Sequence, residues 1–319
     1  MEEPTQEDER AVPWGGVELV AVVFLSFLVQ SCLFQLFLRA GWFEQMYGAE
    51  MVAAALAPTD HAGHLASYRL ALWPGFFGTL AQIVLTVAVM QVGPRATFAQ
   101  MGLTLRHAGR HAIAGLVFAV VFAPGAYAIQ AVVLWLTGVL GGKAEDHPFT
   151  ALGQEGLVPL EWALLIGAAV LLAPLWEELV YRGLIQPWVL DRQPDGGPAV
   201  LAVAGVWTLA MRADALGAAA GQGTRDVLVE LIPIAALLAL VPVYLVLARR
   251  GLVLAGLFAS AVLFAWIHAR VWPSPLPLLW LAIGLGWLRY RTGGLVASVV
   301  LHAAFNAIAV VTMLLVSRQ

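Results

Sequence analysis

Apolar residues run along this chain in long unbroken blocks, without the spaced stripes of a soluble helix or the alternation of a half-buried strand. Seven blocks stand out, at 16–38, 68–92, 112–140, 160–185, 228–248, 251–268 and 293–316. Each approaches the roughly twenty residues an α-helix needs to cross about 30 Å of hydrocarbon. Residues 276–290 form a shorter block that is also read as a span, while 198–211 is short enough to be a span, a re-entrant piece or a surface helix. The expectation is an all-α, polytopic transmembrane helical bundle of about eight spans, give or take one. Turn-forming stretches separate the blocks: GPRATF at 93–98, PDGG at 194–197 and WPSPLP at 272–277.

Composition strengthens that picture. With 61% hydrophobic and 12% charged residues and a mean hydropathy of +0.84, the chain has too little polar surface to cover a soluble globule. A net charge of -3 and scattered arginines leave no electrostatic footprint for nucleic acid. Cys32 is the single cysteine, so neither an internal disulfide nor a cysteine-based metal cluster can form. Residues 1–15, MEEPTQEDERAVPWG, are acidic where a signal peptide would be basic, so they read as a disordered tail before a retained first helix. Residues 16–150 read as N-terminal spans of unknown role. Arg95, Arg106, Arg110, Arg249, Arg250, Arg289 and Arg291 fall on one side of the predicted spans, which is assigned to the cytoplasm. Trp14, Trp42, Trp73, Trp272 and Trp280 fall near predicted interfaces, where an aromatic belt is expected.

Charge inside the blocks changes the question from fold to chemistry. The stretch APLWEELVYRGL, 173–184, places Glu177, Glu178 and Arg182 in an apolar helix. A charge at mid-bilayer costs about 2.5–3.5 kcal/mol on insertion scales, so such groups pair inside a bundle or face water. Glu178 and Arg182 have the favourable i, i+4 order. Glu177 lies about 100° around the helix from Glu178, so one arginine does not readily neutralise both acids. Two later blocks offer partners. SAVLFAWIHAR puts His268 four residues after Phe264, and LVASVVLHAAFNAIA puts His302 and Asn306 four apart on one helical face.

Turned inward together, these groups would support activation of water. A desolvated carboxylate serves as a general base, a histidine shares the water or returns a proton to the leaving amine, and a His–Asn pair offers donors to an oxyanion. That route needs no cofactor. Alternatively, Glu177, His268 and His302 would hold a zinc ion whose bound water attacks, and the residue types leave both routes open. Other chemistries lack their letters: there is no HExxH, GxGD or GxSG, and Ser260 lies two helical turns from His268. Asp60, His61, His64, His107 and His111 read as solvated groups in loops or at helix mouths, while His147 and Glu155 lie in a loop that would cap the site.

The ordered set of EExxxR (Glu177, Glu178, Arg182), FxxxH (Phe264, His268) and HxxxN (His302, Asn306) resembles the CAAX-protease and bacteriocin-processing family of intramembrane proteases, which includes type II CAAX prenyl proteases. The resemblance covers residues 160 to 316. It implies an intramembrane endopeptidase acting on a membrane-anchored, in some cases prenylated, peptide or protein, with its site facing the cytoplasm of the cell membrane. By matched position, Glu177 would be the general base and His268 its partner on the water. His302 and Asn306 would form the oxyanion site, and Glu178 and Arg182 would support the first motif helix. The family's pattern runs by a short connection from EExxxR to FxxxH. Here the two are far apart, so residues 192–250 read as an insertion within a 151–319 protease core. A transporter that relays protons through the same groups, or a non-catalytic scaffold or immunity factor, is the competing expectation. The former predicts internal repeats, and none is evident.

Overall fold

The computed structural model describes residues 12–139, 152, 156–221 and 223–316. The proposed cap residues His147 and Glu155 lie outside these. Every regular element among the described residues is helical. In chain order they are α1 (Gly16–Arg39), α2 (Trp42–Tyr47), α3 (Ala49–Leu56), α4 (His61–Val92), α5 (Ala108–Val139), a composite α6 (Pro159–Asp191), α7 (Gly196–Ala220), α8 (Thr224–Glu230), α9 (Ile232–Arg250), α10 (Leu252–Trp266), α11 (Pro275–Thr292) and α12 (Val296–Val316). Among the described residues, seven helices are long and apolar enough to cross a membrane: α1, α4, α5, α6, α7, α9 and α12. Much of their apolar surface faces outward, as in α1, where Val17 is 80% and Phe24 64% exposed. In water such a surface would be a liability; in lipid it costs nothing. The protein is an all-helical, polytopic integral membrane protein.

Two expectations about individual blocks change. The 198–211 stretch is neither re-entrant nor short: it belongs to α7, whose 25 residues run on through the alanine-rich ALGAAA beyond Arg212. Block 251–268 yields only the 15 residues of α10, because the chain turns at Ile267 ahead of Pro273. Residues Ala255 to Trp266 are all buried, so α10 is apolar on every side because its unit surrounds it. Three of the belt tryptophans, Trp14, Trp73 and Trp272, are buried, whereas Trp42 and Trp280 are partly exposed.

The described residues form two compact units. One takes those within Pro13–Thr97, Asp146–Val180 and His302–Gln319. Here Asp60 caps α4 by accepting from the Gly63 amide at 2.8 Å, which starts the helix well before the apolar block. α1 lies on α4, where buried Gln82 donates to the Ser26 carbonyl at 2.9 Å. Phe43, Leu70 and Leu164 pack in one cluster beside Trp73, whose indole N–H donates to the Tyr47 hydroxyl at 2.9 Å. Burial pushes the Tyr47 phenol up to about 12, so it stays protonated in this apolar setting. Arg69 of α4 grips Glu161 of α6 with two bonds of 2.6 and 2.7 Å.

The other unit takes the described residues within Phe98–Glu145 and Tyr181–Leu301. α10 is flanked by α7, α9, α11 and the end of α6. Glycines set the closest approaches. Phe122 of α5 stacks on Trp280 of α11 at 4.9 Å, and a Cβ at Gly125 would sit 2.5 Å from the same indole. A Cβ at Gly115 would lie 2.5 Å from the Ala297 carbonyl oxygen of α12, so only glycine fits there.

Candidate active site

α6 changes its winding around the acidic motif. Pro159 sits at its first turn, and Glu161 accepts from the Val158 amide at 2.9 Å, the pattern that starts a helix. From there the segment runs as α-helix to Ile166, π-helix over Gly167–Leu172, α-helix over Ala173–Glu178 and π-helix over Leu179–Ile185. Wide π turns are uncommon and concentrate at functional sites. The two glutamates thus lie at the C-terminal edge of a short α segment with a loosened turn on each side.

In the first unit the two acids meet one imidazole. His302 Nδ1–H donates to Glu178 Oε1 at 2.9 Å, and the opposite ring nitrogen, Nε2, stands 3.8 Å from Glu177 Oε2. Because ring nitrogens point to opposite edges, one histidine can address two carboxylates set about 100° apart on a helix. That is the second partner which the EE pair lacked in the sequence. Glu178 is fully buried, His302 is nearly so, and Glu177 keeps 19% of its side chain exposed. The bond at Nδ1 fixes which nitrogen carries the proton and leaves Nε2 facing Glu177. At 3.8 Å the Nε2–Glu177 pair is too long for a direct hydrogen bond, yet a single oxygen can lie about 2.8 Å from both atoms. One helical turn on, Asn306 Nδ2 donates to the Ala169 carbonyl at 2.8 Å. Ala169 belongs to the first π stretch, so α12 is fastened to α6 at the acids and again on their N-terminal side.

In the other unit the remaining motif residues form their own group. The Arg182 guanidinium lies over the Phe264 ring at 4.1 Å and reaches the Ala282 carbonyl at 3.4 Å. Tyr181 meets the same ring edge-on at 5.2 Å. Arg289 Nε–H donates to the Arg182 carbonyl at 3.1 Å, satisfying a backbone oxygen of the second π stretch. Phe264 therefore earns its motif position as a platform for the arginine. His268 lies just past the end of α10, in a run of turns, and its Nδ1–H donates to the Phe264 carbonyl at 3.0 Å. This leaves Nε2 as the lone-pair nitrogen, able to accept a proton or a water hydrogen.

Sequence reasoning passed over several contributors. Glu161 carried a legible signal, since VPLE has proline and glutamate at helix-starting positions, but its partner Arg69 lies far away in the chain. The Ala169 carbonyl has no side-chain signature at all. Among the described residues no group of three or more His, Cys, Asp and Glu side chains is placed to hold a metal ion, so the zinc alternative on Glu177, His268 and His302 has no assembled ligand set here.

Comparison with known families bears directly on these residues. Two stretches, 159–258 and 243–308, match the family model for type II CAAX prenyl endopeptidases, Rce1-like. Residues 159–308 are similar to that family. All seven motif residues, from Glu177 to Asn306, fall inside the Rce1-like segment. The family is one of CAAX-type intramembrane endopeptidases, acting on membrane-associated substrates. No curated protein and no solved structure matches the chain.

Proposed function

We propose that this protein hydrolyses a peptide bond of a membrane-anchored substrate, prenylated near its C-terminus, by general-base activation of water on Glu177. The observation that carries the reading is the His302 imidazole set against both motif glutamates. Glu177, the more exposed acid, takes a proton from water. The water oxygen adds to the scissile carbonyl carbon, and the carbonyl oxygen becomes an oxyanion. The Asn306 amide hydrogen not used by Ala169 stabilises that charge, joined by His302 in its imidazolium form, which donates from Nε2 while Glu178 holds Nδ1–H. Collapse breaks the C–N bond, and the proton held on Glu177 passes to the leaving amine. His268 takes the role of partner on the water from the FxxxH motif, supported by the Nδ1 bond that leaves its Nε2 open. No step requires a metal. The domain organisation proposed is an N-terminal set of spans followed by a 151–319 protease core in which 192–250 is inserted, and the cytoplasmic face of the cell membrane is the proposed location of the site.

The test uses the full chain in lipid vesicles with a panel of fluorogenic peptides carrying farnesyl, geranylgeranyl or acyl anchors. Cleavage of an anchored peptide by wild type, lost in His302→Ala and unaffected by chelator, supports the reading. Proton flux without cleavage of any anchored peptide would favour the transporter expectation instead.

A further inference from the structure

We propose that Trp207 and the Arg212–Glu230 pair are positioning residues for His268, which gives the 192–250 segment a role as the brace of the turn presenting that imidazole. The inference rests on the reading of His268 as a participant in hydrolysis, and the observations come from one unit alone. α10 stops at Trp266, so the last carbonyls of the helix and those of the following turn lack intrahelical donors. The turn is held locally by short-range bonds, His268 N–H to the Ala265 carbonyl at 3.1 Å and Val271 N–H to the His268 carbonyl at 3.0 Å. Neither fixes the turn to its surroundings.

Three bonds between the turn's surroundings and the inserted segment do so, two of them donated by that segment. Trp207 Nε1–H of α7 donates to the Ile267 carbonyl at 3.0 Å, immediately before His268. Arg212, five residues further along α7, reaches the Arg270 carbonyl at 3.5 Å, two residues past it. The Trp266 indole N–H crosses to the Pro233 carbonyl at the start of α9 at 3.0 Å. Arg212 is itself held by Glu230 at the end of α8, Nη2 to Oε2 at 2.6 Å, and its side chain is only 6% exposed. A buried arginine needs such a counter-charge, and with it the guanidinium becomes a fixed donor rather than a roaming one. The histidine is thus flanked on both sides by backbone carbonyls whose donors come from α7, while its ring is oriented by Phe264. Errors of an ångström in a catalytic group are costly in rate, so such anchoring would matter even though none of these three residues touches a substrate.

The experiment compares wild type with Trp207→Phe, which removes the N–H and keeps an aromatic ring, and with Glu230→Gln, which removes the counter-charge at nearly constant volume. Hydrogen exchange by mass spectrometry in nanodiscs reads the 267–271 amides, and kcat and KM are read on whichever anchored fluorogenic peptide the wild type cleaves. The expected result is about tenfold faster exchange confined to 267–271 in both variants, with kcat down about tenfold and KM unchanged. Unchanged exchange at 267–271, loss of protection spread over all helices, or full kcat despite a loosened turn would each overturn the proposal. Because exchange does not depend on turnover, a turn that loosens as expected in a chain indifferent to Glu177→Gln identifies the hydrolysis reading, and not the brace, as the part that failed.

Discussion

At the residue scale, the decisive feature is a histidine shared by adjacent glutamates of unequal exposure. Glu178 is fully buried and bonded to His302, whereas Glu177, with part of its side chain open, is the acid that can meet water. Removing one member of a buried, hydrogen-bonded pair leaves the other desolvated and uncompensated. Glu178→Ala should therefore lower stability by about 3 kcal/mol, read by thermal unfolding in detergent, whereas Glu177→Gln should change it by about 1 kcal/mol or less. Asn306→Ala strands the Ala169 carbonyl and should cost about 1–3 kcal/mol by the same measurement. Glu177, Glu178, His302 and Asn306 were all visible in the sequence, because polar letters in apolar blocks are conspicuous. Their pairing was not. The i, i+4 rule offered Arg182 as the partner of Glu178, yet nothing in the letters showed that the opposite ring nitrogens of one distant histidine would face both acids.

At the element scale, sequence reading found the long helices and failed where tertiary contacts or winding decide. The blocks at 16–38 and 293–316 match their helices closely. α7 outgrew its block because the helix-favouring alanines after Arg212 carry it on, and α10 fell short because the chain turns at Ile267. The π turns of α6 leave no periodic signature in a uniformly apolar stretch. Two helix contacts give contrasting tests. Gly115→Ala drives a methyl into the Ala297 carbonyl and should destabilise by about 1–3 kcal/mol, while Gly138→Ala on the same helix meets open space and should gain about 0.5–1 kcal/mol, both read by unfolding in detergent. Similarly, Arg69→Met leaves buried Glu161 without its bidentate partner and should cost about 3 kcal/mol.

At the scale of the whole molecule, the claim is that the chain lives in lipid and cuts there. Its single cysteine offers a direct check of the first half. Cys32 is exposed on α1, a helix long and apolar enough to span, so its thiol is expected against hydrocarbon, out of reach of a water-soluble reagent. A water-soluble maleimide should leave it unlabelled in intact vesicles and label it after denaturation; rapid labelling in intact vesicles would contradict the assignment of α1 as a span. The second half rests on Glu177. The most direct measurement is the cleavage rate of an anchored fluorogenic peptide by Glu177→Gln and by wild type, with both reconstituted at equal inserted amounts. The account predicts a loss of about a thousandfold with the helices still folded, and a Glu177→Gln protein that cuts at the wild-type rate would contradict it.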